Sequence, residues 1–362
     1  MRRSYIDWLR GFAVVVMIEA HSIDAWIDPA GKASPIYPRL LFLAGWAAPL
    51  FLFLAGVAIP LAGAARVARG GTLQSVGRQL QTRAWQVFAL AFGFRVYSFL
   101  LGPGKTIEGI FKPDILNVMG LAMVATAWCW SRRDTPSARM GWLVVPAALC
   151  LIAAPLATGW QWPSHLPARL EAYVRINGQG TFALFPWSAF VFLGAIVGEF
   201  VSRATTAEAD RRVQVGCAIG GAALAIAAYA GSFVPSILPH SSFWTTSPSW
   251  ALLRAGICTL LMPLAWLWMR RPTAAHWSPF VLFGHTSLFV YWIHIELVYG
   301  FATIPIRNAL SVAEWLVAYV VFTGVMCWCA AMWARRSKGP WIPAWLVAPS
   351  RDSAAATGAH AR

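Results

Sequence analysis

Apolar residues run along this chain in long blocks separated by short stretches rich in arginine, proline, glycine and serine. Ten such blocks fall at about 8–27, 40–63, 84–101, 114–130, 140–157, 181–201, 213–232, 250–269, 279–301 and 312–334. A bilayer core is crossed by roughly 20 apolar residues in an α-helix, and a helix satisfies its own backbone in hydrocarbon. The pattern therefore predicts an all-α fold, a polytopic integral membrane bundle of about ten transmembrane helices.

The polar residues between the blocks add an orientation. Arg2 and Arg3, then Arg66, Arg69, Arg78 and Arg83, then Arg132, Arg133 and Arg139 fall on one side. Arg203, Arg211, Arg212, Arg270, Arg271, Arg335, Arg336 and Lys338 join them. The other side has Lys32, Arg39, Lys105, Lys112, Arg169, Arg175 and Arg307. Positive loops stay in the cytoplasm, so both termini are expected there. Residues 1–345 read as one transmembrane domain, and 346–362 as a disordered cytoplasmic tail rich in alanine and serine. Segment 64–83 reads as a cytoplasmic surface helix interrupted at Gly70-Gly71, whose arginines would meet lipid head groups or an anionic cosubstrate.

Composition sharpens the class. The chain is 58% hydrophobic and 12% charged, about half the charged share of a soluble domain. The net charge of +15 comes from those loop arginines. It points to membrane sidedness, and no aromatic–basic motif speaks for nucleic acid. Six cysteines lie in apolar blocks without metal spacing and read as small core residues. No metal is expected.

The first block carries the most chemistry. Arg10, Glu19, His21 and Asp24 lie inside or at the edge of it, and an ionisable group costs roughly 2.5 to 3.5 kcal/mol at mid-helix in a membrane. At about 100° per residue, Arg10, Val14, Met17, His21 and Asp24 share one stripe. Asp24, three residues after His21, is placed to hold one ring nitrogen and leave the other as a base. Arg10 is placed either to clamp Asp7 or to bind a phosphate or carboxylate. The ninth block, FGHTSLFVYWIHIELVYG (283–300), sets Ser287, Tyr291 and His294 on one face, with His294 at a depth similar to His21. Interhelical hydrogen bonding is the plainer role for Ser287, while for Tyr291 and His294 it stands level with a functional one. Arg95, Arg254, Asp114 and Asn117 also enter apolar blocks, and Glu19 and Glu296 could pair with the histidines.

Arg10 followed after ten residues by His21, inside DWLRGFAVVVMIEAH, resembles the first-helix signature of integral-membrane acyltransferases that acylate extracytoplasmic glycans. APLFLFLAGVAI (48–59), DILNVMGLA (114–122), FPWSAFVFLGAIVG (185–198) and GHTSLFVYWIH (284–294) extend the likeness to the heparan-alpha-glucosaminide N-acetyltransferase type of that superfamily. The resemblance implies acyl-CoA, acetyl-CoA foremost, supplied from the cytoplasm. It implies transfer to a hydroxyl or amine of a glycan or other envelope acceptor outside a bacterial inner membrane. His21 matches the family histidine and Arg10 the family arginine. The lysosomal branch has its reactive histidine in a loop after the first helix, and the matching loop here, 27–38, has none. Direct transfer and an acyl-histidine step therefore both stay open, as do monomer and homodimer.

In this reading Arg10, Arg66, Arg69 and Arg83 receive the donor's phosphates. His21 and Asp24 form the base, and Tyr291 and His294 steady the oxyanion. A carrier using the same polar residues as a pathway, signalled by broken helices, and a non-catalytic envelope scaffold are the other two readings.

Overall fold

The computed structural model describes residues 3–102, 107–176, 181–238, 240–271 and 278–336. The expected tail, 346–362, lies outside the described residues. Among those described there are fourteen α-helices: α1 (Ser4–Trp26), α2 (Pro29–Lys32), α3 (Tyr37–Ala44), α4 (Ala47–Val67), α5 (Leu73–Leu101), α6 (Ile115–Trp130) and α7 (Pro136–Gly159), then α8 (Ala168–Val174), α9 (Leu184–Arg203), α10 (Ala207–Gly231), α11 (Pro248–Trp268), α12 (Pro279–His285), α13 (Ser287–Tyr299) and α14 (Val312–Arg336).

The helices start where the sequence offers a cap. The Thr72 hydroxyl accepts from the Ser75 amide, and the Thr206 hydroxyl from the Ala209 amide. Asp114 and Asn117 form a reciprocal capping box at the head of α6. Each satisfies amides that the first turn leaves unpaired. Pro60, Pro146, Pro155 and Pro263 lie inside long helices, as membrane helices tolerate.

Among the described residues seven helical stretches are long and apolar enough to cross a membrane, and eight if the bent pair α12–α13 is one span. The first and third blocks became α1 and α5, which are long enough but have charges spread along them. Asp7, Arg10, Glu19 and Asp24 sit on α1, and Arg78, Arg83 and Arg95 on α5. The ninth block is not one straight helix: α12 and α13 meet at Thr286 with a bend of 92°. Segment 64–83 is not a surface helix. It is the end of α4, a tight turn with Gly70 at φ +94°, and the first turns of α5. Gly70 takes the left-handed conformation that turn requires.

Two ends of the bundle are fixed by polar contacts. At one, Arg3 pairs with Asp210 and caps the Val201 and Ala204 carbonyls, while the Trp266 indole donates to Asp210. Arg132, Arg139, Arg270 and Arg271 lie over the rings of Trp128, Trp130, Trp266 and Trp268 at this end. Such cation–aromatic pairs suit a membrane interface. At the other end, Asp28 and Leu310 bond across from α1 to the start of α14.

Inside, α4 and α9 press backbone to backbone. A Cβ on Gly56 would strike the Val191 carbonyl, and one on Gly194 the Phe53 carbonyl. The stretches Phe51–Gly56 and Phe190–Ala195 both read F-x-F-L followed by two small residues, and the fold packs them on each other. Small residues at such crossings let membrane helices approach closely.

Candidate active site

α1 and α13 bring His21 and His294 together, with ring centroids 5.3 Å apart. His294 is completely buried. Its Nδ1 lies 2.8 Å from the Val290 carbonyl oxygen one turn back. A carbonyl only accepts, so Nδ1 carries the proton and Nε2 keeps a lone pair. That Nε2 is buried and meets no hydrogen-bond partner among the described residues. His21 is half-buried, with its Nδ1 3.2 Å from the Tyr299 hydroxyl. Tyr299 donates its one proton to Asp24 Oδ2 at 2.8 Å, so its oxygen accepts from His21 Nδ1–H. The partners assign the same tautomer to both rings and leave both Nε2 atoms as acceptors.

Asp24 therefore reaches His21 through Tyr299, whereas the i+3 spacing suggested direct contact. The end of α13 passes beside the last turn of α1, and the phenol fills the space between. Asp24 is exposed, and Lys32 Nζ binds its carbonyl at 2.7 Å and Asn308 Oδ1 at 2.8 Å. This is the mouth of the site. Tyr299 is the residue that sequence reasoning missed. Its only signal is its place as the last aromatic before Gly300 closes the ninth block.

Tyr299→Phe is expected to lower kcat/KM of the transfer reaction about tenfold, the weight of one hydrogen bond that orients a base. Asp24→Asn should give a similar loss, and the double variant no more than either alone, because both act on one chain of contacts. Additive losses in steady-state kinetics would dissolve that chain.

Behind His294 lies a second chain. The Tyr291 ring packs against His294 at 5.9 Å, and its hydroxyl donates to Asp114 Oδ2 at 2.9 Å. Asp114 pairs with Arg95 at 3.3 Å. The Tyr291 proton is thus committed to a carboxylate, which differs from the expected role as an oxyanion donor. Asn117 is 1% exposed, and its Nδ2 finds no partner among the described residues. Glu19 and Glu296 make no hydrogen bond to either histidine among the described residues.

A third cluster sits where α12 meets α13. Arg10 Nη2 donates to Ser287 Oγ at 3.0 Å, and its Nη1 lies 4.0 Å from Asp7. His285 Nε2 is 3.3 Å from the other Asp7 oxygen. Ser287, which read as interhelical glue, has that role toward Arg10. The Gly284 position lies against the Asp7 carbonyl and Gly11 against that of Phe280, with no room for a Cβ at either. The Arg10 side chain is 42% exposed, so an anion can approach it. The helical rise sets Arg10 about 16 Å from His21 along α1. Arg66, Arg69 and Arg83 gather around the α4–α5 turn, with Arg69 and Arg83 close enough for their charges to act on Arg66. Arg66 is half-buried there, and Arg69 and Arg83 are exposed.

A family model described as heparan-alpha-glucosaminide N-acetyltransferase, catalytic, matches residues 2–230. The chain belongs to that family. No curated protein matches it. The match makes this a multi-pass membrane protein of acetyltransferase type. It covers Arg10, His21, Asp24, Arg95, Asp114 and Asn117. Tyr291, His294 and Tyr299 lie beyond it, on α13.

Proposed function

We propose that the protein transfers an acyl group, acetyl foremost, from cytoplasmic acyl-CoA to a hydroxyl or amine of an extracytoplasmic glycan. The setting is a bacterial inner membrane, with both termini in the cytoplasm. The observation that carries this reading is the pair of Nε2 acceptors held in one tautomer inside an apolar bundle. The donor's phosphates meet Arg66, Arg69 and Arg83 at the arginine-rich end, with Arg10 deeper on α1. The thioester lies between Arg10 and His21. The acceptor enters at the Asp24 mouth.

His21 Nε2 takes the proton of the acceptor O–H or N–H as that atom attacks the thioester carbonyl carbon. The C–S bond breaks, and the proton on His21 passes to the departing thiolate. His294 Nε2 accepts from a second donor group of the acceptor and orients it. Tyr299 and Asp24 hold His21 in the productive tautomer and favour the imidazolium that forms.

The 92° break between α12 and α13 favours a second reading, since carriers build sites at broken helices. Release of free CoA separates the two, because a carrier moves its solute without cleaving a thioester. Replacing Arg66, Arg69 and Arg83 together by Gln is expected to raise KM for acetyl-CoA roughly tenfold or more, with kcat little changed. Acetyl-pantetheine, which lacks the nucleotide phosphates, should be used equally by both proteins. A KM for acetyl-CoA that ignores the triple change removes these arginines from the donor site.

A further inference from the structure

A buried cation stands on α11, a helix that packs against the histidine-bearing α1. Arg254, on α11, is 8% exposed. One guanidinium nitrogen donates to the Gly45 carbonyl. The Trp46 and Trp250 rings lie against the guanidinium, each centroid 4.8 Å away. No carboxylate pairs with it among the described residues. A guanidinium offers five N–H donors, and the Gly45 carbonyl is its one hydrogen-bond acceptor found there. Trp250 is 5% exposed, and its indole Nε1 meets no acceptor among the described residues. Of two neighbouring groups, both nine-tenths buried, the guanidinium thus has one acceptor for its five N–H groups and the indole N–H has none among the described residues. Buried donors are normally satisfied, and unsatisfied ones call for an absent partner. In a bilayer a lone cation points to function.

The surroundings say where that partner comes from. Gly45 and Trp46 form the half-buried bend between α3 and α4. A Cβ on Gly45 would stand 3.2 and 3.3 Å from two Arg254 nitrogens, so glycine leaves the guanidinium its place. On one side of the bend Ala44 packs with Ile23 and Trp26 of α1, and on the other Ala47 packs with Val14, Met17 and Ile18. The bend therefore lies along the stretch of α1 that carries His21. Trp46 also packs in the cluster that contains Tyr291.

We propose that Arg254, held between Trp46 and Trp250, receives a carboxylate or phosphate carried by the acceptor and so selects acidic glycans. This rests on the acyltransferase reading for its link to turnover but not for binding. The site offers only donors, so it takes an acceptor of hydrogen bonds, and its charge favours an anion over a neutral hydroxyl.

The test compares matched probes on purified protein in zwitterionic detergent: glucosamine 6-phosphate against glucosamine, and glucuronate against glucose. Tryptophan fluorescence and melting temperature report binding, and free CoA reports turnover with acetyl-CoA. The charged member of each pair should bind roughly tenfold or more tightly, with that preference lost in Arg254→Gln. Trp250→Phe, which keeps the ring and removes the N–H, should weaken it severalfold, and it serves if Arg254→Gln does not fold. Equal binding of charged and neutral probes by the wild type overturns the proposal, whatever the turnover. So does a preference that survives in Arg254→Gln, which would make Arg254 a strut for the α3 carbonyl. Stabilisation by phosphatidylglycerol that abolishes the probe response assigns the site to a lipid phosphate and also overturns it. Anion-selective binding with no CoA release keeps this inference and sinks the acyltransferase reading.

Discussion

Replacing His21 with alanine is expected to lower acyl transfer by roughly 10²- to 10⁴-fold, the range a positioned general base supplies. The protein should remain folded, because His21 is half-buried and its one side-chain hydrogen bond is to Tyr299 at 3.2 Å. Free CoA released from acetyl-CoA in the presence of an acceptor is the measurement, with melting temperature read alongside. His21→Gln is the sharper variant. A glutamine can keep a hydrogen bond to Tyr299 but has no nitrogen that takes a proton near neutral pH, so it should fare no better than alanine. His294→Ala should also lose activity, at a higher cost in stability, since that ring is fully buried and tied to the Val290 carbonyl. If His294→Ala abolishes CoA release and His21→Ala retains more than a tenth of it, the two roles are exchanged.

The depth of these two histidines was legible in the chain. Counting residues from the ends of the first and ninth blocks places both at the same level, and apolar neighbours force them inward. Asp114 and Asn117 were legible as polar groups entering the fourth block, but the reciprocal cap they form at the head of α6 was not read from the chain. Tyr299 was not visible. Its contact with His21 joins positions far apart in the chain, and nothing in VYG marks a tyrosine that will sit between a carboxylate and an imidazole. The bend at Thr286 was hidden for a similar reason. Residues 279–301 are apolar enough to pass as one span. The turn arises because α12 lies flat on α1, with Gly11 and Gly284 letting the backbones touch. Close approach is a property of the helix pair, and neither segment declares it alone.

The largest effect on stability is expected at Asp114, through which the fold and the site are joined. Asp114→Ala removes three things together: the cap of α6, worth about 1 kcal/mol, the acceptor of the Tyr291 hydroxyl, and the partner of Arg95. The Arg95 and Asp114 side chains are 22% and 14% exposed, and the Arg95 Nε is buried without a partner among the described residues. Stranding one member of a buried pair costs about 3 to 5 kcal/mol. Partial exposure of Arg95 puts the expected loss near the lower end. Asp114→Asn should lose less, because its one amide oxygen can still serve either the Ile115 amide or the Tyr291 hydroxyl, which Asp114 meets with separate oxygens. Denaturant-induced unfolding in detergent measures both. The decisive comparison is the double variant Arg95→Met with Asp114→Ala. Removing the stranded cation should return much of the loss, since an apolar pair replaces a buried ion pair at little cost. Activity should not return with it. The Tyr291 hydroxyl would still lack its acceptor, and the ring that packs on His294 would no longer be held. A double variant no more stable than Asp114→Ala would locate the cost in the cap and in Tyr291. Recovery of both stability and turnover would mean that the Arg95–Asp114–Tyr291 chain supports the fold without steadying the histidine beside it.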